Sequence, residues 1–157
     1  MATTADLSQR GFEPSQVTAT QLNIAHPDPR GLGPFCRLKV VTTAPTSPGV
    51  YAWVVTDTVM YVGKASFLIH VVHGARMHRA YNDYTYIPPS KVAQTSSPRV
   101  RINGLLNHTI NTEQQPVTWW WLQTPTTADA SRLEADLIHK WAPPWNIAHP
   151  TRHPSPP

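Results

Sequence analysis

Apolar and polar positions repeat with two different periods in the middle of the chain. Val50-Tyr51-Ala52-Trp53-Val54-Val55 and Val59-Met60-Tyr61-Val62 are short runs of β-branched and aromatic residues on either side of Thr56-Asp57-Thr58. They predict a β-hairpin that begins just after Pro48-Gly49. A third run, Val117-Thr118-Trp119-Trp120-Trp121-Leu122, is too short for a helix between Pro116 and Pro125 and predicts a third strand of the same sheet. Three helical stripes surround these runs. The first spans Ser66 to about Ala80, with Leu68, Val71, Val72, Ala75 and Met77. The second spans Pro98 to Thr109, with Val100, Ile102, Leu105 and Leu106, and Ile110 just beyond. The third spans about Ala128 to Trp141, with Ala130, Leu133, Leu137, Ile138 and Trp141. Pro143-Pro144 forbids its continuation. The order hairpin, helix, helix, strand, helix predicts a small α+β sandwich.

Outside this middle the pattern fades. Of 17 prolines in 157 residues, six fall in 1–48 and six in 143–157. Residues 1–46 therefore read as a Pro-rich, mostly irregular segment and 149–157 as a disordered Pro-rich tail. Cys36 to Val41 is a short apolar piece that offers an extra strand ahead of a domain spanning 47–148. A chain of this length has room for one core of ordinary size.

Charge sharpens the picture by its distribution. The net charge of +4 is modest, but residues 58–112 hold Lys64, Arg76, Arg79, Lys91, Arg99 and Arg101 against Asp83 alone. Such a concentration is the footprint of a phosphate-backbone binder, with a solvated basic face as the plainer alternative. Cys36 is the one cysteine, so neither a disulfide framework nor a thiolate zinc cluster is available. The first residues lack a basic stretch followed by an apolar run, and no segment approaches 18 apolar residues. A cytosolic protein with no membrane partner is expected.

Two features suggest chemistry. Glu134 sits at the margin of the third helical stripe, a costly place for a carboxylate without a partner. Its plainer explanation is a capping box with Ser131. Tyr51 and Tyr61 lie ten residues apart on the two arms of the hairpin, so they can meet on one sheet face away from the turn. Two core tyrosines explain that equally. A functional role needs their hydroxyls at a wet rim beside Lys64 and the basic helix.

Taken in order, the motifs resemble the GIY-YIG nuclease family. Gly49-Val50-Tyr51 resembles the first signature triplet and Tyr61-Val62-Gly63-Lys64 the second. Glu134-Ala-Asp-Leu-Ile-His-Lys-Trp-Ala-Pro-Pro-Trp-Asn146 resembles the closing segment, and Thr95-Ser-Ser-Pro-Arg-Val-Arg-Ile-Asn103 resembles the start of the second helix. The resemblance covers about residues 47–148. It implies a three-stranded antiparallel sheet flanked by helices and an endonuclease that hydrolyses DNA phosphodiester bonds with one divalent cation, Mg²⁺ or Mn²⁺. By the same implication Glu134 binds the metal, Tyr51 activates or orients water, Tyr61 and Lys64 hold water and phosphate, and Asn146 supports the site. A tyrosine with its ordinary pKa of about 10 is a poor base, so nearby positive charge is required.

The chain departs from the pattern at one point. Where the family places an arginine on the first helix, this chain has Val71, and the next arginines are Arg76 and Arg79. Five residues are roughly 7.5 Å of helix, so a longer loop or a shifted clamp is needed. Arg76 is the favoured clamp, with Arg79 second. Lys64, Arg76, Arg79, Lys91, Arg99 and Arg101 are the candidate nucleic-acid contacts. His70 and His73, at i, i+3 without a nearby carboxylate, are a weak metal signal. Trp119-Trp120-Trp121 alternate faces on a strand, so at least one belongs to the core. The competing functional reading is a catalytically inactive nucleic-acid-binding module. A purely structural or interaction domain is the third.

Overall fold

In the computed structural model, residues 1–24, 35–73 and 98–147 are described. In chain order their elements are α1 (Thr4–Gln9), β1 (Glu13–Ile24), β2 (Phe35–Val41), β3 (Gly49–Val55), β4 (Thr58–Ala65), α2 (Leu68–His73), α3 (Pro98–Asn107), β5 (Val117–Gln123) and α4 (Thr127–Trp141). A π-helical turn, His108–Thr112, follows α3, and a 3₁₀ turn, Pro144–Ile147, follows α4.

The α+β class is as expected, but the sheet has five strands rather than three, in the order β2-β1-β5-β3-β4. All pairs are antiparallel. The expected hairpin and third strand form its β5-β3-β4 part. The expectation that 1–46 is mostly irregular is corrected over the described residues: α1 and β1 occupy 4–24, and the piece at Cys36–Val41 lies in β2. β1 escaped notice because Glu13, Ser15, Gln16 and Thr18 give it no apolar run. Backbone pairing to β5 over Glu13–Gln16 and to β2 from Gln16 onward makes it a strand regardless. The first expected helix is observed over Leu68–His73, and its remainder to Ala80 lies outside the described residues, as does the tail 149–157.

Helices cover both faces, which is why all seven residues of β3 are buried. On one face Tyr51, Trp53, Tyr61 and Trp119 pack with Leu68 and Val72 of α2 and Ile102 and Leu106 of α3. On the other, Val50, Ala52, Val54, Val62 and Trp120 pack with Leu7 of α1 and Ala130 and Leu137 of α4. Trp119 and Trp120 thus serve opposite cores.

A bulge decides which residues share a face. The hairpin turns through two residues, Thr56 and Asp57, with Thr56 at φ 55°, the positive φ that tight hairpins use. In an uninterrupted register Tyr61 would point away from Tyr51. The register instead shifts between Trp53–Tyr61 and Val54–Val59, leaving Met60 as the extra residue of β4. Val59 then buries against the α4 side, and Tyr61 against the α2 side beside Tyr51.

Candidate active site

The acidic half is built by α4 and edge strand β4. The N-cap of α4 is Thr126, whose hydroxyl accepts the Asp129 N–H at 3.0 Å and donates to the Asp129 carboxylate at 2.8 Å. The capping box is therefore Thr126–Asp129, and Glu134, two turns inside the helix, has no capping duty. Ala130 and Leu137 of this helix are buried against the sheet, and Glu134 stands half-buried at the margin. Burial pushes its carboxyl above the ordinary range, while the Lys64 ammonium and backbone N–H act in the opposite direction. Lys64 reaches α4 as well, its Nζ donating to Ser131 Oγ at 3.1 Å. A pocket of about 320 Å³ opens there, lined by Lys64, Ala65, Ser66, Thr127, Ala130 and Ser131. Glu134 lies one turn beyond Ala130. Lysine, hydroxyls and the first turn of α4 give this pocket the character of an anion cradle with a carboxylate beside it.

The tyrosine half lies across the sheet. Tyr51 and Tyr61 are 4% and 7% exposed, with ring centroids 6.3 Å apart, and Tyr51 stacks at 5.9 Å against Trp119. Tyr51 lies over Gly63, its register partner. A Cβ added there would stand 2.5 Å from the Tyr51 hydroxyl and 2.9 Å from its ring carbon Cε2. Gly49 is equally confined, since a Cβ would lie 2.9 Å from Leu68 Cγ and closer still to the Leu122 carbonyl oxygen. Both motif glycines are thus required by close approach. The two halves meet at Gly63-Lys64: Gly63 carries the Tyr51 hydroxyl, and the next residue carries the ammonium beside Glu134.

Asn146 closes the seam. The chain leaves α4 through Ala142, at φ 44°, and passes round the β4 edge to bury Trp145 in the tyrosine-side core. On the way the Asn146 carboxamide accepts the Val62 N–H at 2.8 Å and donates to the Val62 carbonyl at 2.9 Å. It satisfies both backbone groups that an edge strand leaves without a strand partner. Arg101 Nη2 donates to the Trp145 carbonyl at 2.6 Å, holding the same turn from α3.

The structure thus brings Lys64, Ser131 and Glu134 together and binds Asn146 to the adjoining strand. Arg76, Arg79 and Lys91 lie outside the described residues, and Arg99 lies in α3. Val71, at the position where an arginine was expected, packs against the core. His73 Nε2 sits 2.7 Å from the Val40 carbonyl, and His70 stacks on Phe67, so the two histidines have separate partners. Among the described residues no three His, Cys, Asp or Glu side chains cluster as a metal cage. Sequence reasoning missed Ser131 as a Lys64 partner. The available signal was the Thr126-x-x-Asp129 cap, which frees Ser131 for another role.

No protein-family model and no curated protein matches the chain. Among solved structures, bacteriophage T4 EndoII, determined as a Glu-to-Ala mutant, is similar over 92% of this chain and 98% of that one, with 19% identity and a TM-score of 0.58. The magnesium-bound GIY-YIG N-terminal endonuclease domain of UvrC from Thermotoga maritima is similar over 67% of this chain and 89% of that one, with 23% identity and a TM-score of 0.42. The chain has the GIY-YIG nuclease fold.

Proposed function

We propose that the protein is a divalent-cation-dependent endonuclease that hydrolyses DNA phosphodiester bonds. The observation that carries this reading is the placement of Glu134 beside Lys64, one turn of α4 beyond the pocket-lining Ala130. The UvrC domain is described with a catalytic magnesium ion, and EndoII by its name is also an endonuclease. The donor set here fits such an ion. A lone half-buried carboxylate suits Mg²⁺, which keeps most of its waters and takes one or two carboxylates plus substrate phosphate. Glu134 would hold it, and the ion would supply charge neutralisation at the phosphoryl and leaving oxygens.

The chain's own residues do the rest. Lys64 holds a non-bridging phosphate oxygen, and Ser131 keeps the ammonium in place. Tyr51 and Tyr61, 4% and 7% exposed on the other face of the sheet, brace Gly63 from beneath and so position Lys64. Asn146 keeps β4 from moving relative to α4. Arg76 is the clamp on the phosphate, with Arg79 second, and Lys91, Arg99 and Arg101 extend the basic track along the DNA. Arg101 does so while bound to the Trp145 carbonyl. Among the described residues no helix is long and apolar enough to cross a membrane, and a cytosolic DNA substrate is the one proposed.

Val71 favours a second reading, an inactive DNA-binding module that kept the fold without the arginine. One assay separates them. Plasmid incubated with the protein and Mg²⁺ or Mn²⁺ is expected to be nicked, chelator to stop the nicking, and Glu134→Gln to lower the rate more than about a hundredfold. Tight binding of DNA with no nicking under either ion would establish the second reading.

A further inference from the structure

The large apolar side chains of the hairpin and α2 are buried or half-buried, and Phe67, between β4 and α2, stands out as exposed. It is 51% exposed, while its neighbour Leu68 is fully buried and Val72 is 2% exposed. Leaving half of a phenylalanine exposed forgoes about half of what its burial would contribute. Its position is nevertheless fixed. The Leu68 N–H donates to the Ser47 carbonyl at 2.9 Å and the Ile69 N–H to the Pro45 carbonyl at 3.1 Å, so the segment carrying Phe67 is tied to the loop between β2 and β3. The ring is backed from one side by His70, with centroids 5.2 Å apart and planes tilted by 47°. The remainder of the ring faces solvent.

Its place in the molecule gives the exposure a use. Phe67 follows Ser66, which lines the Lys64 pocket, and three residues span at most about 11 Å from Lys64. A phosphate at Lys64 and the base beside it can therefore be touched together. Aromatic rings beside a cationic groove are the sequence-tolerant way to hold unstacked bases.

We infer that Phe67, backed by His70, is a stacking platform for the base next to the phosphate held at Lys64, and that the favoured substrate is DNA with an unstacked base there. This rests on the nuclease reading and narrows its substrate to single-stranded or locally distorted DNA, since a base inside an intact duplex keeps both faces stacked on its neighbours.

The test uses the full chain carrying Glu134→Gln, so that DNA is bound without being cut, and measures affinity for a fluorescent single-stranded oligonucleotide and for a perfectly paired duplex of the same sequence. Adding Phe67→Ala is expected to weaken single-strand binding by about fivefold to a hundredfold and duplex binding less than twofold, and Phe67→Trp to restore the former. Thermal melting of each variant should match the parent, because the ring contributes little to the core. Equal losses on both DNAs, or no loss on either, overturn the platform while leaving the nuclease reading intact. Absence of any DNA binding at low salt, together with uncut plasmid in the wild-type assay, overturns both.

Discussion

The two halves of the candidate site are made of different material. On the α2 side, Tyr51 and Tyr61 are fixed by packing: two tyrosines, Trp119 and a glycine with no room for a methyl group. On the α4 side, Lys64, Ser131 and Glu134 are fixed by polar contacts at an edge strand, half in water. Groups held by close packing have one position but resist change, whereas groups held by polar contacts at a rim cost stability when buried and stay reachable by ligand. The tyrosine half should therefore fail by unfolding when it is altered. The acidic half should fail in function first.

The largest expected effect tests that contrast directly. Tyr51→Ala should cost about 3–5 kcal/mol, as for other large aromatic truncations in a core. Gly63→Ala should cost about 1–3 kcal/mol by overpacking, because Tyr61 and Trp119 confine the Tyr51 ring that would have to move. Urea unfolding followed by tryptophan fluorescence reads both. A Gly63→Ala protein as stable as wild type would show that Tyr51 is not confined and that the two halves do not differ as described.

The seam between the halves gives a smaller effect. Asn146→Ala leaves the Val62 N–H and carbonyl without their partner, at about 1–3 kcal/mol for each group that water cannot reach. Asn146→Asp retains an acceptor for the N–H but sets an oxygen against the carbonyl, so it should be at least as damaging. Hydrogen exchange at the Val62 amide should accelerate in Asn146→Ala while amides of β3 change little. If both substitutions were tolerated and Val62 remained protected, the carboxamide would not be what fastens the Pro144–Ile147 turn to β4.

How much of this was visible in the residues depends on what holds each part. The hairpin, β5 and α4 were legible because a single local period specifies each, and Glu134 stood out by its place at the margin of the α4 stripe. β1 was not, because its strand state comes from pairing with β2 and β5 on its two sides rather than from its own Thr, Ser and Gln residues. The meeting of Tyr51 and Tyr61 was anticipated through a three-residue turn. The chain reaches the same pairing by a two-residue turn and a bulge at Met60, a choice that local composition leaves open. Ser131–Glu134 and Thr126–Asp129 carry the same capping pattern five residues apart. Only the observed start of α4 at Thr127 selects between them. That selection removes the capping explanation for Glu134 and leaves Lys64, by its backbone N–H and its ammonium, as the partner of the half-buried carboxylate.

The smallest effect follows from that charge, and its sign is what distinguishes Glu134 in the middle of α4 from Asp129 in its first turn. Asp129 has its carboxyl held below the ordinary 3.8, first by the Thr126 hydroxyl, so its ionised form favours the folded state. Its contribution is present above its unfolded pKa and is lost as pH falls through the lower folded value. Glu134 is the reverse. Burial raises its folded pKa above the ordinary 4.5, so below that value the carboxyl is protonated in both states and carries no penalty. As pH rises from the unfolded to the folded pKa, the unfolded chain ionises first and stability is lost, after which the deficit stays constant. Glu134→Gln mimics the protonated form, so its melting temperature should equal that of wild type near pH 4 and exceed it slightly at pH 7 to 8 without added divalent ion. Asp129→Asn should instead fall below wild type at neutral pH and converge with it in acid. Added Mg²⁺ should narrow the Glu134→Gln advantage, because an ion that binds only folded wild type returns stability by mass action. An advantage independent of pH would mean that the Gln side chain simply packs better and that Glu134 carries no electrostatic cost in the fold.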